Sequence, residues 1–209
     1  MEIRIGIIII GVTVALLGGC SPKVTHVADI DTTYYRVNKR QKSDKEIETI
    51  ISPYKQQLDG KMDEVLAINP VEMRKSRPNS SLGNWFADIL ATEASELYGK
   101  SVDMAMQNYG GIRVPSVAKG DVTVRHIYEL MPFDNELIIL ELDGQLLRQL
   151  LDRIAAKGGW PISRGLSFTI ANDRAIDIMI NGQALDDAQM YTVALPDYIA
   201  NGGQDCFFL

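Results

Sequence analysis

The stretch from Val102 to Arg113 constrains this chain more than any other. Val102, Met104 and Met106 recur at period two, the pattern of a strand with one apolar face, so residues 102–107 are predicted to form a strand. It runs straight into Asn108-Tyr109-Gly110-Gly111-Ile112-Arg113. Two adjacent glycines permit positive φ and clear side chains away from the backbone amides, so a ligand can approach them. Arg113 adds a planar, permanently charged fork that suits phosphate or carboxylate. On Gly-Gly-x-Arg alone, an ordinary turn with a solvated arginine is the simpler reading, so the rest of the chain must decide.

At 209 residues the chain has room for one sizeable domain with a tail. Its 21 basic and 27 acidic residues leave a net charge of −6, which argues against a broad nucleic-acid footprint. Any anion must therefore be held locally. Ile5 to Leu17 is an almost unbroken apolar run, short for a membrane span but the right size for the core of a signal peptide. It ends in Leu17-Gly18-Gly19-Cys20, which resembles the bacterial lipobox. The expectation is a signal peptide over 1–19, lipid on Cys20, a polar tether over 20–43 with a first strand near Tyr34, and a folded domain over 44–209. The protein is then expected at a bacterial cell envelope, lipid-anchored and facing the periplasm or the surface. Cys206 is left without an intrachain disulfide partner and reads as a small buried residue.

From Ile47 the apolar positions Ile50, Ile51, Tyr54, Leu58, Met62 and Val65 follow helical spacing, with Ser52-Pro53 either a kink or a fresh helix start. Val65 to Ile68 reads as a short strand. Arg74, Lys75 and Arg77 lie in a basic loop, after which Ser80 or Ser81 caps a helix with Leu82, Phe86, Ala94 and Leu97 on its apolar face. Val124 to Leu130 reads as a short helix carrying His126. A strand is predicted over 136–142 and a helix over 145–156. A hairpin follows through Asn172-Asp173, and a last strand over 191–195.

Five strings occur in the order found in the 5′-nucleotidase C-terminal domain family, between about residues 74 and 205. They are the basic loop with Leu82-Gly83-Asn84, the Asn108–Arg113 string, Pro132-Phe133-Asp134-Asn135, Ser163-Arg164-Gly165-Leu166, and Tyr198 ahead of Gly202-Gly203. The chain therefore resembles that family. The resemblance implies a mixed α/β (α+β) domain, a mixed sheet with flanking helices, that binds a nucleotide or nucleoside. In it, Arg113 with Arg74 and Arg77 would hold phosphate beside Asn108, Gly110 and Gly111. Phe133 and Tyr198 would sandwich the base, Asn135 would address the base edge, and Gly165 would shape a strand entrance. Gly202 and Gly203 would lead to an acidic residue on the ribose, here Asp205. The chain departs from the family pattern where Gln204 follows the glycine pair and sets Asp205 one position late. Family members also continue with another strand and helix, so an incomplete C-terminus is left open.

Full-length members resemble two-domain enzymes whose N-terminal metallophosphoesterase domain carries two divalent metals. This chain has two histidines, His26 and His126, and nothing like the Asp-x-His or Gly-Asn-His-Glu strings of that domain. No cofactor is expected in this chain, and divalent metals only in a partner metallophosphatase. The expected role is the substrate-binding half of a split 5′-nucleotidase, the alternative a non-enzymatic nucleotide-binding envelope lipoprotein.

Overall fold

The structure is a computed structural model that describes residues 42–209. The expected signal peptide, Cys20, His26 and the strand near Tyr34 lie outside the described residues. The chain divides into two units, Met1–Glu48 and Thr49–Leu209. Of the first, the described part opens a helix, α1 (Lys45–Met62), where the Asp44 carboxylate accepts from the Glu46 amide at 2.9 Å. That helix is continuous through Pro53, so Ser52 does not start a new one. None of its side chains is buried.

The second unit is built around a three-stranded mixed sheet of β3 (Met104–Ala105), β6 (Leu137–Asp143) and β10 (Met190–Pro196). β10 is central, parallel to β3 and antiparallel to β6. A helix covers each face. α2 (Ser81–Tyr98) lies on the side where Ala105 and Ala194 meet Ala94 and Val102, and these small residues let helix and sheet approach closely. α4 (Gly144–Ala156) lies on the other, where Met104, Val193 and Leu195 meet Leu147, Leu150, Leu151 and Ile154. β3 is an edge strand of only two residues, but both of its faces are covered and Met104, Ala105 and Met106 are all fully buried, which corrects the longer, one-faced strand expected over 102–107. Val102 packs with Ala105 under α2, whereas Met104 and Met106 pack under α4.

Smaller sheets surround this centre: β1 (Val65–Asn69) with β5 (Gly120–Thr123), β2 (Met73–Arg74) with β4 (Ser116–Val117), and a meander of β7 (Leu166–Ala171), β8 (Arg174–Ile180) and β9 (Gln183–Ala184). The meander packs against α4 through Ala175, Ile178 and Ile180. Ser80 caps α2 by accepting from the Gly83 amide at 3.0 Å, and Asp143 caps α4 by accepting from the Leu146 amide at 2.8 Å. Trp160 and Cys206 are both buried in the main core. Burial raises the Cys206 thiol above its usual range, so it stays protonated. This is the mixed α/β arrangement of sheet and flanking helices that the sequence implies.

Candidate functional site

Register fixes where a site can form. Because β3 and β10 run parallel, their C-terminal ends share one edge of the sheet, and the pairing of Pro196 with Leu137 brings the start of β6 to the same edge. Three loops therefore converge there. The first carries a 3₁₀ turn over Tyr109–Gly111, the second runs from α3 (Val124–Leu130) to β6, and the third is α5 (Asp197–Ala200) with the turn that follows it. They enclose a cleft of about 440 Å³ lined by Asn108, Gly110, Gly111, Arg113, Phe133, Asp134, Asn135, Tyr198 and Gln204. Seven of the expected binding residues are in that lining.

The glycine turn is held from below by Ile112, which is fully buried beside Leu82, Phe86 and Leu130. With Ile112 as the plug, the Arg113 amide donates to the Leu130 carbonyl at 2.8 Å and the guanidinium is directed to the rim. Neither Gly110 nor Gly111 adopts positive φ, contrary to the expectation for this pair. Gly111 is required for space: a Cβ there would stand 2.6 Å from Nε2 of the buried Gln107. Gln107 in turn accepts from the Asn108 amide at 3.2 Å and donates to the Met131 sulfur at 3.2 Å, which ties the turn to the loop after α3.

Phe133 and Tyr198 are 45% and 46% exposed, rings set at the mouth of a cleft rather than in a core. The Arg113 guanidinium lies 5.6 Å from the Phe133 centroid. Asn135 donates from Nδ2 to Asp197 Oδ1 at 2.8 Å, and the same oxygen accepts from the Tyr198 amide at 2.8 Å. Asp197 thus fixes which end of the Asn135 amide faces the cleft, leaving the carbonyl oxygen and one N–H for a ligand. It was missed in the sequence because it carries no motif signal of its own.

The basic loop divides differently from expectation. Met73 faces the core beside Ile112, so strand alternation turns Arg74 outward, where it pairs with Glu72 at 2.7 Å. Arg74 is not brought to the cleft. Lys75 returns to the inner side, donates to the Ile112 carbonyl, and lies 4.1 Å from the Tyr109 ring centroid, as does the Arg77 guanidinium. Burial, then Arg113 and then Arg77 hold the Lys75 ammonium below the usual lysine range. Among the described residues, Lys75, Arg77 and Arg113 have no carboxylate ion-pair partner. Three cations gathered without counter-charge form a place for an anion. The alternation Met73, Lys75 was the legible signal for the residue that sequence reasoning passed over.

The last loop also departs from expectation. Gln204, with φ 58°, turns into the cleft and donates from Nε2 to the Tyr198 hydroxyl at 3.2 Å. Asp205 turns away to Lys157 Nζ at 2.9 Å and Arg153 at 3.8 Å, and Lys157 holds its carboxyl below the usual range. Asp205 is therefore not a cleft residue. Gly202 and Gly203 lie behind the lining: a Cβ on Gly203 would stand 2.3 Å from the Tyr198 carbonyl oxygen and 2.7 Å from its ring. Gly165 sits at the entrance to β7, where its carbonyl accepts from the Asn181 amide at 2.7 Å, and takes no part in this cleft.

Residues 60–208 match the profile of the "5′-nucleotidase, C-terminal domain". The chain belongs to this family. It is 30% identical over 113 residues to the 5′-nucleotidase of Vibrio vulnificus, a match covering 52% of this chain and 20% of that protein. It is 27% identical over 194 residues to the NAD 5′-nucleotidase of Haemophilus influenzae, covering 78% and 31%. Among solved structures, a 5′-nucleotidase precursor from Thermus thermophilus superposes with a TM-score of 0.67 at 26% identity, covering 78% of this chain and 35% of the other. The chain thus spans well under half the length of these 5′-nucleotidases.

Proposed function

We propose that this chain is the nucleotide-recognising part of a 5′-nucleotidase-type phosphomonoester hydrolase, working with a separately encoded metallophosphatase. The observation that carries the reading is the placement, at one sheet edge, of two half-exposed rings, an asparagine pinned by Asp197, and a cation cluster with no counter-charge. Phe133 and Tyr198 take the base between them, since a planar π-face stacks on any nucleobase. Asn135 offers donor and acceptor to the base edge. Arg113, supported by Lys75 and Arg77, neutralises the phosphate and directs it to the partner.

Divalent metals belong to that partner in this reading. Among the described residues no group of three or more His, Cys, Asp or Glu side chains is placed to hold a metal ion, and the His126 ring accepts from the Thr123 amide at 3.0 Å in the capping box of α3. The donor set among the described residues does not fit a dinuclear centre, so no hydrolytic step is assigned to them. The chain binds, orients and neutralises. We further propose that lipid on Cys20 holds it at a bacterial envelope; among the described residues, no helix is long and apolar enough to cross a membrane.

The test is AMP hydrolysis by a metal-loaded metallophosphatase domain that lacks its own C-terminal domain, with and without this chain. The expected result is a rise of about tenfold or more in kcat/KM, lost in Arg113→Ala, the size of a charge-assisted phosphate contact. Unchanged hydrolysis beside measurable AMP binding contradicts the enzymatic role and leaves a nucleotide-binding lipoprotein.

A further inference from the structure

One aromatic ring accompanies two of the three clustered cations. Lys75 Nζ and the Arg77 guanidinium each lie 4.1 Å from the centroid of Tyr109. Tyr109 opens the 3₁₀ turn that leads through Gly111 and Ile112 to Arg113, and its ring packs against the main core. The platform is therefore anchored, and it belongs to the same turn as Arg113. Tyr109 is outside the cleft lining, so it can act on a cleft ligand only through its neighbours. The Arg77 stem also passes Gly158, where a Cβ would stand 3.5 Å from Arg77 Cδ.

We propose that Tyr109 is a positioning residue, whose ring keeps the phosphate clamp assembled before a ligand arrives. The inference rests on the nucleotide reading above. Three like charges repel one another, and Arg77 is an exposed side chain with rotamers that carry it off into water. A carboxylate would gather such a cluster but would also neutralise it and compete with an incoming anion. The negative face of a ring attracts cations without carrying a formal charge, so Lys75 and Arg77 are held and stay available. Phosphate then meets cations already in place, and the ordering cost is not drawn from its binding energy. The ring face performs this role, and the hydroxyl is not needed for it.

The experiment is calorimetric titration of the full chain in mild detergent with AMP and with adenosine, which reports the phosphate contribution as the ratio of the two affinities. The wild type is compared with Tyr109→Phe, which keeps the ring, and with Tyr109→Met, which fills its space with a flexible apolar chain that has no π-face. In Tyr109→Met the ratio is expected to fall about fivefold or more while adenosine affinity stays within about twofold of the wild type; Tyr109→Phe is expected to keep the ratio within about twofold. Added to Lys75→Met/Arg77→Met, Tyr109→Met is expected to lower the ratio no further. An unchanged ratio in Tyr109→Met, an equal fall in Tyr109→Phe, or a full further fall in the background without the two cations overturns the proposal. So does loss of adenosine binding in Tyr109→Met, which makes the ring a support of the cleft itself. Each of those results leaves nucleotide recognition by the wild type standing. Equal wild-type affinities for AMP and adenosine overturn the clamp and this proposal while leaving base recognition, and a wild type that binds neither overturns the nucleotide reading as well.

Discussion

Gly203→Ala tests the link between the last turn and the cleft. The added carbon would stand 2.3 Å from the Tyr198 carbonyl oxygen and 2.7 Å from ring atoms Cε1 and Cζ, far inside the roughly 3.5 Å at which non-bonded carbons attract. A rotamer change cannot relieve a clash with backbone. Nor can α5 move freely, because the Asp197 amide donates to the Glu136 carbonyl at 2.9 Å and the Asn201 amide to the Asp197 carbonyl at 2.8 Å. The turn must shift, at the cost of about 1–3 kcal/mol typical of overpacking. For a domain of this size, each kcal/mol lowers Tm by about 2–4 °C, so a fall of about 2–12 °C is expected. Displacing the Tyr198 ring also forfeits stacking of about 1–3 kcal/mol, or about 5- to 150-fold in AMP affinity. Gly60→Ala, with nothing within 4 Å of the added carbon and a position inside α1, should instead raise stability by about 0.5–1 kcal/mol. Urea unfolding and AMP titration of both variants give the answer. A Gly203→Ala protein within about 0.5 kcal/mol and twofold in affinity of the parent would refute the packing argument.

Phe133→Ala should weaken AMP binding by about 1–3 kcal/mol in calorimetry, and unchanged affinity would remove the base sandwich. Asn135→Ala and Asp197→Ala should be non-additive, the double variant losing no more AMP affinity than the worse single one within about 0.5 kcal/mol; additive losses would mean that Asp197 does not act through Asn135. Lys75 gives a pH signature: its folded value is lowered by burial and by Arg113 and Arg77, so between that value and the ordinary lysine value the unfolded chain binds more protons. Ligand-free stability should therefore rise with pH through that window, while stabilisation by inorganic phosphate should shrink as the ammonium is lost, and both trends should vanish in Lys75→Met. Thermal unfolding across the alkaline range, with and without phosphate, reads both.

Local periodicity carried much of the fold. The face of α4 was legible because Leu147, Leu150, Leu151 and Ile154 repeat at helical spacing around one core, and β6 and β10 lie within about a residue or two of their expected spans. What the sequence hid was decided by neighbours. Ala105 and Met104 are both buried because helices cover both faces of β3, a fact about α2 and α4 rather than about residues 102–107. At the site, Asn108, Gly110, Gly111, Arg113, Phe133, Asn135 and Tyr198 come together as their order implies. Arg74 and Asp205 do not, because each is drawn off by an opposite charge, Glu72 in one case and Lys157 with Arg153 in the other. The residues placed nearer the site, Lys75 and Gln204, sit one position along from them. A one-residue change of side is invisible to motif matching and follows from strand alternation at Met73 and from left-handed backbone at Gln204.

The proposed role requires a nucleotide pocket with a working phosphate clamp. Calorimetric titration of the full chain with AMP and adenosine side by side, without added metal, tests it most directly. Both should bind, AMP about tenfold or more tightly, the contribution of charge-assisted contacts from Arg113 and its neighbours. Equal affinities would contradict the clamp, and absence of binding by either would contradict the pocket itself.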